Sequence, residues 1–179
     1  MSSDLRIAVS GKSGCGNTTV SRLLAGRLGV RLINYTFHTM AEERGMSFEE
    51  LCLLAETDSQ YDRHLDRRQV ELAMEGSCVL ASRLAIWLLE EADLSVYLYA
   101  SPQVRGRRIA RREGISFRQS VREIEARDAR DRNRYLKLYD IDIDRYEFAR
   151  LVVDTEQGDQ FYVVEKIIEA LGKLGGRPS

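Results

Sequence analysis

Residues 11–19, GKSGCGNTT, constrain this chain more than any other stretch, because Gly11, Gly14 and Gly16 crowd into a short segment that runs straight into Thr18 and Thr19. Before it, Leu5-Arg6-Ile7-Ala8-Val9-Ser10 reads as a short buried parallel strand. After it, Val20, Leu23, Leu24 and Leu28 fall on one helical stripe, and Gly29 supplies the stop. A strand, a glycine loop and a helix in that order form a phosphate loop: small residues let backbone N–H groups converge on anionic oxygens, and the positive end of the helix faces the same charge. The spacing assigns Gly11, Lys12, Ser13, Gly14, Cys15, Gly16, Asn17, Thr18 and Thr19 to the phosphates of a nucleotide. The Thr18 hydroxyl is placed to hold a magnesium ion bridging two of them.

The loop departs from the full pattern G-x-x-x-x-G-K-[ST] at one position, where Asn17 replaces lysine. A charge-assisted hydrogen bond contributes roughly 1.5–3 kcal/mol, so a bond that strengthens in the transition state takes up to about two decades of rate with it when lost. Lys12 is the candidate substitute, since some phosphate-loop ATPases resembling the dimeric chromosome-partitioning class carry a second lysine at this early position. The alternative is that Lys12 points into solvent while arginines elsewhere neutralise the phosphates.

Further strands are expected at residues 30–33, 77–80, 94–98 and 151–153, separated by helical patterns. Residues 36–75 are helical throughout, with Ser47-Phe48-Glu49-Glu50 resembling a capping box. Pro102 opens a helix over 104–110, residues 111–114 read as a turn, 116–135 as a long charged helix and 161–174 as a closing amphipathic helix, with 175–179 fraying. Strands alternating with helices imply a parallel α/β sheet covered on both faces, with ligands beyond the carboxyl ends of its strands.

The length, 179 residues, fits one domain that buries a core without staples. Cys15, Cys52 and Cys78 form no CxxC pair, so neither a disulfide framework nor a zinc site is expected, and Cys52 and Cys78 read as core packing. An ordinary 44% of hydrophobic residues, no apolar run of membrane-spanning length and no secretory leader lead to the expectation of a cytoplasmic protein without membrane contacts. The net charge of −1 hides a segregation: residues 105–134 hold eleven arginines against five acids. Few aromatics interleave them, which favours small phosphates over nucleic acid as partners.

Four further motifs carry a resemblance to cytidylate kinases, particularly the compact archaeal-type form. Asp66-Arg67-Arg68-Gln69 is similar to the family's DRRQ helix, Arg83-Leu84-Ala85 with Trp87 to its RLAGW segment, and Arg112-Glu113-Gly114 to its REG lid turn. The most specific is Arg127-Asp128-Ala129-Arg130-Asp131-Arg132-Asn133-Arg134, which resembles the RDxRDRNR helix that grips the nucleoside monophosphate. Positions i, i+4 and i+7 share a helix face, so Arg127, Asp131 and Arg134 converge; spacing alone equally fits a solvated ladder of ion pairs.

The resemblance implies a three-layer P-loop kinase fold: a five-stranded parallel sheet flanked by helices, one domain over 1–174, with a helical monophosphate-binding arm at about 36–75 and a lid at about 105–135. It implies ATP and magnesium on the phosphate loop and CMP or dCMP on His38, Arg83, Arg127, Asp131 and Arg134, with Arg107, Arg108 and Arg111 serving transfer beside the candidate Lys12. His38 stands where the family usually carries arginine, and Ala81-Ser82 where it usually carries Glu-Gly. The expected activity is transfer of the ATP γ-phosphoryl group to CMP or dCMP by a monomer or weak dimer. The alternatives are a non-catalytic nucleotide-binding relative that lost transfer through Asn17, and a small-molecule kinase with another acceptor.

Overall fold

A computed structural model describes residues 4–175. Strand β1 (Arg6–Gly11) is buried from Ile7 onward, and its alternation sends Ile7 and Val9 to one face of the sheet and Ala8 to the other. Helix α1 (Asn17–Leu28) ends where Gly29 adopts φ 66° and donates its N–H to the carbonyls of Ala25 and Gly26, a left-handed stop that a Cβ would penalise. Next come β2 (Arg31–Ile33) and the helices α2 (Phe37–Arg44), α3 (Phe48–Thr57) and α4 (Gln60–Met74), so the wholly helical stretch resolves into three pieces. The capping box forms as its sequence requires, Ser47 Oγ accepting from the Glu50 N–H and Glu50 accepting from the Ser47 N–H.

The chain continues through β3 (Cys78–Ala81), the single turn α5 (Ala85–Leu88), β4 (Leu94–Tyr99), α6 (Pro102–Glu113), α7 (Phe117–Tyr139), β5 (Leu151–Asp154) and α8 (Gln160–Gly175). The expected turn at 111–114 is corrected: α6 runs through Glu113, because arginine and glutamate propagate a helix and only Gly114, at φ 69°, leaves it. Gly175 is the last residue of α8, and the rest of the tail expected to fray, residues 176–179, lies outside the described range. Cys78 is buried as expected, whereas Cys52 on α3 is only half-buried.

All five strands are parallel in the order β2-β3-β1-β4-β5. One face buries Ile7, Val9, Val79 and Val96 against Val20 and Leu24 of α1 and Val163 and Ile167 of α8. The other buries Ala8, Leu80 and Tyr97 beneath Ala73 of α4 and Ile86 of α5. Connections from β1 leave toward β2 on one side while β4 lies on the other, so the crevice at the carboxyl end of β1, where residues 11–16 sit, is the topological switch point at which such sheets bind ligands.

Candidate active site

Among the described residues five helices carry a side-chain N-cap: Thr36 on α2, Ser47 on α3, Ser101 on α6, Ser116 on α7 and Asp159 on α8. Helix α1 does not. Its N-cap is Gly16, at φ 93°, with no capping side chain and no acidic residue in the first turn. The first N–H groups of α1 are therefore left for an external anion, with the helix dipole behind them. Gly14 is held at φ 81°, and a Cβ there would lie 3.0 Å from the Arg105 carbonyl oxygen, so the loop passes too close to α6 to accept a side chain.

The loop opens on a cleft of about 480 Å³. One wall is residues 11–19, a second is Ser82 and Arg83 after β3, a third comes from Tyr35, Phe37 and the α4 residues Asp62, Leu65, Asp66 and Gln69, and the last is Arg112 on α6 with Arg127, Arg134 and Tyr135 on α7. Arginine guanidinium groups collect around Ser13: Arg83 Nη2 donates to its Oγ at 2.6 Å and Arg127 Nη1 at 3.3 Å, while Arg105 Nη1 donates to its carbonyl at 3.1 Å. Arg83 also pairs with Asp131, and Arg134 bridges Asp131 at 3.3 Å and Asp62 at 3.5 Å. Arg83, expected from one motif, and Arg127, Asp131 and Arg134, expected from another, thus meet at the mouth of the phosphate loop.

Three other expected residues lie elsewhere. His38 does not line the cleft; its ring stacks on Phe48 with centroids 3.8 Å apart, at the junction of α2 and α3. Arg107 lies over the exposed Phe117 ring, 5.7 Å from its centroid, and Arg111 is exposed on the turn of α6 that faces away from the cleft lining. Both follow from helix phase: Arg108 and Arg112, four apart, share the inward stripe that 107 and 111 miss. Arg108 donates to the Gly14 carbonyl at 3.2 Å and to Thr155 Oγ1 and O at 2.9 and 2.8 Å.

Lys12 borders the cleft, and it is the alternative of a side chain pointing into solvent that the structure corrects. Its Nζ is neither free in solvent nor pointed at the cleft alone, but donates to Asp144 at 2.5 Å and lies 4.0 Å from Asp128. Asn17 turns inward: Nδ2 donates to the Val9 carbonyl at 3.1 Å, and Oδ1 accepts from Ser21 Oγ at 2.9 Å. The residue in the lysine position therefore ties the start of α1 to the end of β1. Thr18 and Thr19 are exposed in the first turn of α1 and border the cleft.

Sequence reasoning missed Arg105, which is 3% exposed and clamps Asp128 at 2.7 Å beneath the loop, because a pair between α6 and α7 leaves no spacing signal. It also missed the carboxylates of α4. Asp62 and Asp66 are 5% and 8% exposed, and burial pushes both carboxyls above their ordinary range, Asp66 to about 6 despite the hydrogen bond from the Tyr139 hydroxyl. Asp66 opens the DRRQ motif and Asp62 stands four residues before it, and that i, i+4 spacing was the available clue to a shared face. Among the described residues no group of three or more His, Cys, Asp or Glu is placed to hold a metal ion, and no helix is long and apolar enough to cross a membrane.

An uncapped helix start behind a glycine loop, facing a crevice ringed by arginines, defines a P-loop phosphotransferase. Solved structures agree on the fold: shikimate kinase from Acinetobacter baumannii in complex with shikimate superposes with a TM-score of 0.62 at 21% identity, covering 98% of this chain and 97% of that one. Deoxyadenosine kinase from M. mycoides does so with a TM-score of 0.60 at 16% identity, covering 94% of this chain and all of that one. The family follows from sequence. Residues 6–157 match the model of the cytidylate kinase-like family, and the chain belongs to that family. It is 44% identical to cytidylate kinase 2 of Borreliella afzelii, over 94% of this chain and 97% of the relative. It is 40% identical to the cytidylate kinase of Pyrococcus horikoshii, over 96% and 92%.

Proposed function

We propose that the chain transfers the γ-phosphoryl group of ATP to CMP or dCMP. The observation that carries this reading is the convergence of Arg83, Arg127 and Arg134 with the carboxylate of Asp131 at the open start of α1. Three cations suit a monophosphate beside a transferring phosphoryl group, and a carboxylate accepts from a ribose hydroxyl. The acceptor phosphate is the nucleophile and ADP the leaving group, so the protein's part is position and positive charge rather than a strong base. Helices α2–α4 act as the monophosphate arm and α6–α7 as the lid, within one domain.

ATP phosphates lie on residues 11–19. A second recess of about 330 Å³ borders the other side of the same loop, between Gly16, Thr19, Arg108, Thr155, Gly158 and Asp159, and suits the adenosine end. Magnesium fits the residues present: Thr18 offers a hydroxyl, and the buried Ser82 Oγ, bordering the same cleft, lacks a hydrogen-bond partner among the described residues. Neither is a carboxylate, which suits an ion held chiefly through substrate phosphates and water. Bound there, the ion neutralises developing phosphate charge. With Asn17 turned inward and Arg105 committed to Asp128, Arg83, Arg127 and Arg108, each donating to the loop, are the replacements for the loop lysine's charge. The protein acts in the cytoplasm on small nucleotides, without nucleic acid.

The inward Asn17 also favours a second reading, a binder that holds nucleotides without transfer. Coupled ADP formation with ATP–magnesium against CMP, dCMP, UMP, AMP and shikimate separates the two. Turnover confined to cytidine acceptors is expected. ATP binding by calorimetry with no acceptor phosphorylated would establish the binder.

A further inference from the structure

Helix α4 presents Asp62, Leu65, Asp66 and Gln69 to the cleft, the i, i+3, i+4, i+7 set of one helix face. These groups are not equivalent. Asp62 faces the Arg134 guanidinium at 3.5 Å, so its charge is balanced within the protein. Asp66 faces no cation within ion-pair distance among the described residues. One of its oxygens accepts from the Tyr139 hydroxyl at 2.7 Å, and the other has no partner among the described residues although the residue is 8% exposed. A carboxylate withdrawn this far from water and left half-used has a strong demand for a donor.

The neighbours narrow the donor. Gln69 gives its amide N–H to the Tyr35 carbonyl at 2.7 Å, which fixes the orientation of the amide and leaves its carbonyl oxygen as the group without a partner. Leu65 and Phe37 supply apolar walls, and Tyr35, 5% exposed, closes the same side. The arm end of the cleft therefore combines flat apolar contacts with two acceptors, while the arginines sit at the other end around Ser13. A planar ring whose edge carries an exocyclic amino group satisfies such a pocket; a ring with a keto oxygen at that position meets acceptor with acceptor.

We propose that Asp66 is the specificity-determining residue of the acceptor site, reading the 4-amino group of the pyrimidine and rejecting the 4-keto ring, with Gln69 Oε1 as the second acceptor. Carboxylate acceptance from the cytosine amino group is chemically the same pairing that reads cytosine edges in nucleic acids. The proposal rests on the reading of the cleft as a nucleoside monophosphate site.

The test is kcat/KM for CMP and for UMP, at fixed saturating ATP–magnesium, in the native chain, Asp66→Asn and Asp62→Asn. Asparagine keeps an oxygen to accept from Tyr139 but replaces the free oxygen with an NH2 group, which donates and cannot accept from an amino group. Asp66→Asn is expected to lower kcat/KM for CMP by about 10- to 100-fold, to leave UMP unchanged or improved, and to leave the KM for ATP within twofold. A folded Asp66→Asn chain that keeps the native CMP-to-UMP ratio within twofold overturns the proposal, as does a collapse of that ratio in Asp62→Asn alone. If Asp66→Asn does not fold, the native chain is assayed with the monophosphate of the 2-pyrimidinone nucleoside, which has hydrogen in place of the amino group. A loss of about 10-fold or more supports the proposal, and turnover equal to CMP overturns it. A native chain that phosphorylates no cytidine acceptor removes both the proposed activity and this inference; turnover of CMP with an unaltered ratio removes only the inference.

Discussion

Replacing Asn17 with alanine separates a scaffold role from a phosphate-binding role. Asn17 makes two side-chain hydrogen bonds, 3.1 Å to the Val9 carbonyl and 2.9 Å from Ser21 Oγ. The first is partly redundant, because the Val9 carbonyl also accepts the Ser82 N–H at 3.2 Å. The second is not: Ser21 is fully buried, and its hydroxyl loses its partner. Leaving one buried hydroxyl unpaired costs about 1–3 kcal/mol, to which the lost bond to Val9 adds little, and alanine's higher helix propensity returns a few tenths. For a chain of this size each kcal/mol lowers the melting temperature by about 2–4 °C, so a drop of roughly 2–12 °C is expected by thermal melting. In the coupled ADP assay the KM for ATP and kcat should each change less than about threefold, since the amide is committed to the fold. An unchanged melting temperature with a fall in kcat beyond about 30-fold would refute this account of Asn17.

Three other outcomes are expected. Gly14→Ala forces a Cβ to within 3.0 Å of the Arg105 carbonyl at φ 81°, a strain of about 1–2 kcal/mol or more, and should raise the Kd for ATP several-fold by calorimetry. Arg83→Gln removes a cation from the proposed acceptor phosphate and from Asp131, and should lower kcat/KM for CMP by about 10- to 100-fold with the KM for ATP within twofold. Asp66, at about 6 in the folded chain and near 4 unfolded, keeps its proton in the native state to higher pH, so its contribution to stability falls as pH rises between those values and its full cost is present above about 6. Between pH 4.5 and 7.5 the window below 6 is worth about 2 kcal/mol, so urea midpoints should show Asp66→Asn gaining on the native chain by about that amount; a pH-independent difference would contradict it.

Much of this architecture was legible because local signals and tertiary demands agree. The apolar run before Gly11, the glycine after Leu28 and the Ser47–Glu50 box each specify a boundary through their own backbone chemistry. The boundary of α6 was misread because three charged residues before a glycine look like a turn, whereas propensity carries the helix to the first residue that accepts φ above zero. Spacing put Arg127, Asp131 and Arg134 on one helix face, and the resemblance of the 127–134 run to the family's helix made that face a site rather than a ladder of ion pairs. Contacts between elements were not. No pattern links Lys12 to Asp144 or Arg105 to Asp128, and none says that Asn17 turns back on Val9. His38 shows the converse: its position after Phe37 suggests the cleft, yet the adjoining Phe48 ring captures it.

The central claim is phosphoryl transfer to a cytidine monophosphate on a loop without its lysine, and label transfer tests it most directly. With ATP carrying 32P at the γ position, magnesium and CMP, the account predicts label in the β-phosphate of CDP, dependent on CMP and lost in Arg83→Gln. Label that stays on ATP, or appears only as inorganic phosphate at the same rate with and without CMP, would contradict it.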